Sequence, residues 1–120
     1  MNTLFLNATT DEAYEFIAAL GEQGHTIRIA NSFQSAVHEL QGVEPDVIVL
    51  DASLEFSSTD ALLYLRNMYS GNIVAYGSQI TVSTKNFLTH LGITHIVQSI
   101  NDLSPLFYNE PDVEVSERAV

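Results

Sequence analysis

The chain has no cysteine and no tryptophan, and it sets only four lysines and arginines against fifteen aspartates and glutamates. Without cysteine there is neither a disulfide framework nor a thiolate metal site, which agrees with a cytoplasmic address. The cations Arg28, Arg66, Lys85 and Arg118 are scattered singly, and the formal net charge is −11. Displacing counterions from phosphates needs clustered positive charge, so direct binding of nucleic acid or an anionic membrane is excluded. No apolar run approaches the ~20 residues of a membrane span. Met1 to Leu6 carries no basic residue ahead of its apolar stretch and no small-residue cleavage pattern, so it does not read as a secretory signal. The six glycines stand singly at turns, so there is no glycine-rich loop for a nucleotide phosphate.

What remains is a chain of 120 residues that is 46% hydrophobic and only 16% charged. That suits one globular domain with a sizeable core and is too apolar for a disordered chain. The acidic excess reads first as a solubilising surface and second as a field that steers a basic partner.

Strand and helix signals alternate along the sequence. Thr3 to Leu6 is a short apolar run ending in a polar loop, and Thr9 with Glu12 has the form of a capping box for a helix whose apolar stripe is Tyr14, Ile17, Ala18 and Leu20. His25 to Ala30 reads as a second strand; Asn31 or Ser32 caps a second helix carrying Phe33, Val37 and Leu40, which Gly42 and Pro45 stop. Val47 to Leu50 is a continuous β-branched and leucine run, the pattern of a central parallel strand covered on both faces, and it ends on Asp51. A third helix spans Thr59 to Tyr69, a fourth strand Ile73 to Tyr76, a fourth helix Val82 to Leu91 and a fifth strand Thr94 to Val97. A short last helix runs from Asn101 or Asp102 to Phe107, with Pro105 in its first turn. Residues 1–108 form the domain, and 109–120 are an acidic, mobile tail.

Five βα units predict an α/β fold, a doubly wound five-stranded parallel sheet of the flavodoxin-like kind with helices on both faces. Its site lies beyond the carboxyl ends of the strands. The central Asp51, at the end of its apolar strand, resembles the phosphoacceptor aspartate of the response-regulator receiver (CheY-like) family, over residues 3 to about 107. The resemblance implies strand order 2-1-3-4-5. It also implies an acidic pair after the first strand, a hydroxyl residue after the fourth and a lysine after the fifth.

The chain departs from that pattern. Asn7 and Ala8 stand where the acidic pair belongs, Gly77 at the hydroxyl position with Ser78 beside it, and Gln98 in place of the lysine. Magnesium prefers carboxylate oxygens, and a neutral amide cannot neutralise a phosphate. Asp11 and Glu12 are assigned to the cap and dipole of the first helix. His25, His38, His90 and His95 lie on separate elements, without the pairing of a metal site.

The preferred reading is therefore a degenerate receiver: a non-catalytic protein-interaction or signalling module that aspartyl phosphorylation does not switch, using no cofactor. The alternatives are an active receiver phosphorylated on Asp51 with Mg2+, and a small-molecule binder at the strand-end crevice. Its partner is another protein or a second copy of the chain. The resemblance places the docking face on the fourth helix, fifth strand and fifth helix, including Lys85, Phe87, His95, Leu106, Phe107 and Tyr108. Phe5, Phe16, Phe33, Phe87 and Phe107 read as core or core-edge residues, Phe107 and Tyr108 are also the expected anchors of the interface, and Tyr64, Tyr69, Tyr76 and Tyr108 are expected to be half-exposed.

Overall fold

Val47–Asp51 is buried along its whole length and forms β3. It is the central strand of a five-stranded parallel sheet in the computed structural model, which describes residues 1–8, 10–52 and 59–107. The other strands are β1 (Asn2–Leu6), β2 (Thr26–Ala30), β4 (Asn72–Tyr76) and β5 (Ile96–Val97), in the order β2-β1-β3-β4-β5. Parallel neighbours need crossover connections, and these are α1 (Asp11–Glu22), α2 (Phe33–Gln41), α3 (Thr59–Met68) and α4 (Val82–His90). A 3₁₀ helix (Ile100–Leu103) and a one-turn α5 (Ser104–Phe107) close the described chain. The expected fold class and strand order are both present.

Alternation along the strands divides the core in two. Leu4, Leu6, Ile48, Leu50 and Ala75 pack against Leu62, Leu65, Tyr69 and Leu88 on one face. Phe5, Val49, Val74 and Tyr76 pack against Ala13, Phe16, Leu20, Ile100, Leu103 and Phe107 on the other. Successive side chains of a strand point to opposite faces, so a run such as Val47 to Leu50 stays apolar throughout only where helices cover both.

Local chemistry ends the helices where polar side chains are available. Thr10 caps α1, its Oγ1 accepting from the Ala13 N–H at 3.1 Å. The expected cap, Thr9, lies outside the described residues. Ser32 and Thr81 cap α2 and α4 in the same way. The buried stripe of α1 is Ala13, Phe16 and Leu20, with Ile17 half-buried, while Tyr14 is exposed. The stripe is thus set about one residue away from the one expected.

The half-exposure expected of Tyr69 and Tyr76 is corrected, and of the two readings of Phe107 the structure places it in the core. Tyr69 is 1% exposed and its hydroxyl donates to the Pro45 carbonyl at 2.9 Å, so it is a core residue with its polar tip satisfied. Tyr76 is 6% exposed. Phe107 is 5% exposed, with its ring edge-on to Phe16 and to His25 at centroid separations of 5.8 Å each. One turn of helix brings Phe107 back under α1, where its ring covers Phe16.

β5 is shorter than expected, although the Ala75 N–H still reaches the His95 carbonyl at 3.0 Å. Among the described residues no helix is long and apolar enough to cross a membrane. Tyr108 and the acidic segment from Asn109 lie outside the described residues.

Candidate functional site

In order β2-β1-β3-β4-β5 the chain winds one way from β1 to β2 and the other way from β3 onward, so the crevice at the carboxyl ends of β1 and β3 is the topological switch point. Asp51 is the last residue of β3 and sits at this crevice, 3% exposed. Beside it, β1 ends on Leu6, and Asn7 turns the chain with φ of +65°. Asparagine is one of the few non-glycine residues that tolerate this left-handed conformation, and the turn is fixed by the Asn7 N–H donating to the Ala30 carbonyl at 3.0 Å. Asn7 is 6% exposed and its Nδ2 has no hydrogen-bond partner. Ala8 is 1% exposed and belongs to the apolar layer with Phe5 and Phe16. The place where the resemblance implies two carboxylates thus holds a neutral amide and a buried methyl group.

The register of β3 and β4 pairs Asp51 with Tyr76. Both follow the alternation of Val49 and Val74, so both side chains leave the sheet on the α1 and α5 face. Tyr76 is thus the hydroxyl residue paired in register with Asp51, one position before Gly77. Burial, then the negative charges of Asp51 and Glu12, hold the Tyr76 phenol well above its ordinary value of 10.0. Its Oη makes no hydrogen bond within ordinary geometric limits, yet it lies near enough to the Asp51 carboxylate for that acceptor to help hold the proton. Gly77 is buried, its N–H donating to the Val97 carbonyl at 3.0 Å, and Ser78 is exposed.

Glu12 was expected to serve the cap of α1. Its Oε2 instead accepts from Ser99 Oγ and Asn101 Nδ2, both at 2.8 Å, and ties the first turn of α1 to the 3₁₀ helix. Ser99 also caps that helix reciprocally with Asp102, whose Oδ2 accepts from the Ser99 N–H at 3.3 Å. Alternation in β4 and a Ser-x-Asn triplet after β5 were the sequence signals for Tyr76 and for this latch.

Gln98 is exposed and lines a different cleft, of about 360 Å³, together with Gly77, Ser78, Ile80, Lys85, Ile96, Val97 and Asp102. The structure therefore divides the residues singled out from the sequence. Asn7, Ala8 and Asp51 surround the switch point, while Gly77, Ser78 and Gln98 line the cleft toward α4. The expected docking face is divided as well. Lys85 and His95 are exposed and Phe87 packs half-buried against the core. Leu106 and Phe107 line a separate cavity at the opposite end of the sheet, with Met1, Asp46, Val47, Asn72 and Val74.

Of the described cations, Arg28 pairs with Glu39 at 3.0 Å. Arg66 donates to the carbonyls of Leu91, Tyr69 and Gly71 at 2.9 to 3.0 Å. Lys85 is left without an ion pair among the described residues. Nor do these residues hold any group of three or more His, Asp or Glu side chains placed for a metal ion.

No family model and no curated protein matches the sequence. Solved structures do match the fold. A two-component response regulator from Clostridium difficile superposes with a TM-score of 0.75 over 89% of both chains at 18% identity. The receiver domain of a Saccharomyces cerevisiae response regulator, crystallised with a histidine phosphotransfer signalling protein, gives 0.71 over 89% of this chain and 86% of that one, at 16% identity. The receiver domain of a sensor histidine kinase from Pseudomonas aeruginosa, with magnesium coordinated in its active-site cleft, gives 0.63 over 90% and 95%, at 15% identity. The fold is that of receiver domains.

Proposed function

We propose that this domain is a signalling module on the receiver fold that works through protein contacts and is not switched by phosphorylation of Asp51. The observation that carries the reading is the charge around that carboxylate. Asp51 is buried beside the Tyr76 phenol, Asn7 and Ala8, and the Glu12 carboxylate, which acts on the same phenol, is already engaged by Ser99 and Asn101.

Phosphoryl transfer to a carboxylate brings two anions together, and its catalysis is positioning and charge neutralisation. A magnesium ion would need hard oxygen ligands in octahedral geometry, and this donor set, one carboxylate with a neutral amide and a methyl group, does not fit it. Gln98 cannot neutralise a phosphate, and Lys85 lines the neighbouring cleft, which Asp51 does not line. Losing one preorganised charge element costs roughly 10²–10³ in rate, so losing two leaves the reaction slower by several orders of magnitude.

Two of the fold neighbours support the protein-contact half of the reading, since one was crystallised with its phosphotransfer partner and others belong to response regulators. With Phe107 in the core, the surface offered to a partner at α4 and β5 consists of Val82, 76% exposed, with Lys85 one helical turn on, and His95. The test is an amide spectrum of the intact protein with magnesium and beryllofluoride, a phosphoryl mimic. The module reading predicts no saturable shifts at Asn7, Asp51 or Tyr76. Stoichiometric, magnesium-dependent shifts there would make the domain an active receiver.

A further inference from the structure

We propose that the cleft between the carboxyl ends of β4 and β5 and the first turns of α4 binds a small zwitterion, a neutral amino acid with a branched apolar side chain. The cleft has a volume of about 360 Å³, within the ~300–1,000 Å³ range of small-molecule sites. Its lining combines three apolar side chains, Ile80, Ile96 and Val97, with two side chains of opposite charge, Lys85 and Asp102. Between these stand the Ser78 hydroxyl and the Gln98 amide.

The availability of these groups is the second part of the argument. Among the described residues the side chains of Lys85, Ser78 and Gln98 make no hydrogen bond or ion pair, whereas Arg28 is paired with Glu39 and Arg66 donates to three backbone carbonyls elsewhere. Asp102 spends only Oδ2, on the Ser99 N–H, which leaves Oδ1 for an ammonium. Half-buried Ile80, Ile96 and Val97 give a branched side chain a surface to cover.

Charge selects the class of ligand. A phosphate or other dianion would meet one lysine, one aspartate and a protein of net charge −11, all but the lysine repulsive. A simple cation would meet Lys85. A zwitterion places its carboxylate at Lys85 and its ammonium at Asp102, and it adds no net charge to an acidic domain. The inference does not depend on how Asp51 behaves, since Asp51 is not part of the cleft, and each reading can fail alone.

The experiment is a titration of the intact, 15N-labelled protein with L-leucine. L-leucinamide, which lacks the carboxylate, and 4-methylpentanoate, which lacks the ammonium, serve as comparators. Saturable shifts are expected at Gly77, Ser78, Ile96 and Gln98, with each comparator weaker by about tenfold or more, the effect of one lost charge-assisted contact. Lys85→Gln should reduce leucine to the level of leucinamide. Asp102→Asn, which keeps an acceptor for the Ser99 N–H, should reduce it to that of 4-methylpentanoate. Unchanged amides at Leu4 and Ile48 verify that both variants are folded. Failure of leucine to saturate up to its solubility limit, equal binding of either comparator, or unchanged affinity in both folded variants would overturn the proposal.

Discussion

Asp51 and Tyr76 share the last rung of the β3–β4 ladder, and their side chains leave the sheet on the same face, 3% and 6% exposed. A buried carboxylate therefore has a buried phenol for its neighbour, with the Glu12 carboxylate close enough to act on the same hydroxyl. Ionising Tyr76 would add a second negative charge beside Asp51 in a poorly solvated place, which is why the phenol holds its proton.

This coupling has a pH signature. The folded-state value of Tyr76 lies above the ordinary 10.0. The folded state therefore binds the proton more tightly than the unfolded chain, so the stability this contributes is complete below pH 10.0 and declines as pH rises beyond it. Tyr69 is shifted in the same direction, chiefly by burial. Tyr76→Phe should change stability by no more than ~1 kcal/mol at neutral pH, because the lost hydroxyl makes at most a poorly aligned contact with Asp51. The variant should also lose less stability than the parent above pH 10.0. Urea denaturation at neutral and alkaline pH measures both, and a steeper alkaline loss in the variant would contradict this account of Tyr76.

Phe107 is a core residue. Phe107→Ala should cost about 3–5 kcal/mol, the usual range for emptying a buried aromatic site. Leu106→Ala, at a position 37% exposed, should cost no more than about 1 kcal/mol. Denaturation midpoints at constant slope distinguish the two.

The latch from Glu12 to Ser99 and Asn101 should govern local opening more than global stability, since both hydrogen bonds are solvent-exposed. Glu12→Ala should speed amide exchange at Ile100 to Leu103 by roughly tenfold, equivalent to about 1 kcal/mol, while exchange in β3 stays at its parental rate.

Gly71 is held by close approach. A Cβ placed there would lie 2.5 Å from Tyr69 Oη. That hydroxyl is already committed to the Pro45 carbonyl. Gly71→Ala should therefore lower stability by about 1–3 kcal/mol, from crowding and the strained buried hydrogen bond. Tyr69→Phe removes the hydroxyl but leaves Cζ at 2.6 Å from the added Cβ, so the same substitution should remain costly in that background, with only the hydrogen-bond part of the loss relieved in a double-mutant cycle of melting temperatures.

Much of the fold was legible in local pattern. Val47 to Leu50 could be placed at the centre of the sheet because an unbroken apolar run is stable only under helices on both faces. Ser32 and Gly42 bounded α2 because each meets a specific need of a helix end. Contacts between distant segments were less legible. Thr9 and Thr10 are adjacent hydroxyls, and only the path of the chain out of β1 decides which one caps α1. Phe107 looked like an edge residue because its own turn of helix is short and the sequence after it polar. Its burial comes from Phe16 and His25, more than eighty residues earlier. At the site, Asp51, Asn7 and Ala8 were found where the strand ends placed them. Tyr76 was missed because register between β3 and β4 is a tertiary property, and the resemblance directed attention past the strand, to Gly77 and Ser78. Glu12 was credited to its own helix, while its partners lie on a segment that sequence distance hides.

The central claim is that Asp51 lies in a pocket unable to neutralise an incoming phosphoryl group. Intact-protein mass after incubation with magnesium and acetyl phosphate tests it most directly, with Asp51→Asn as the control. The account predicts an unchanged mass for both proteins over times that would label a competent receiver fully. A stoichiometric gain of one phosphoryl group that disappears in Asp51→Asn would contradict it.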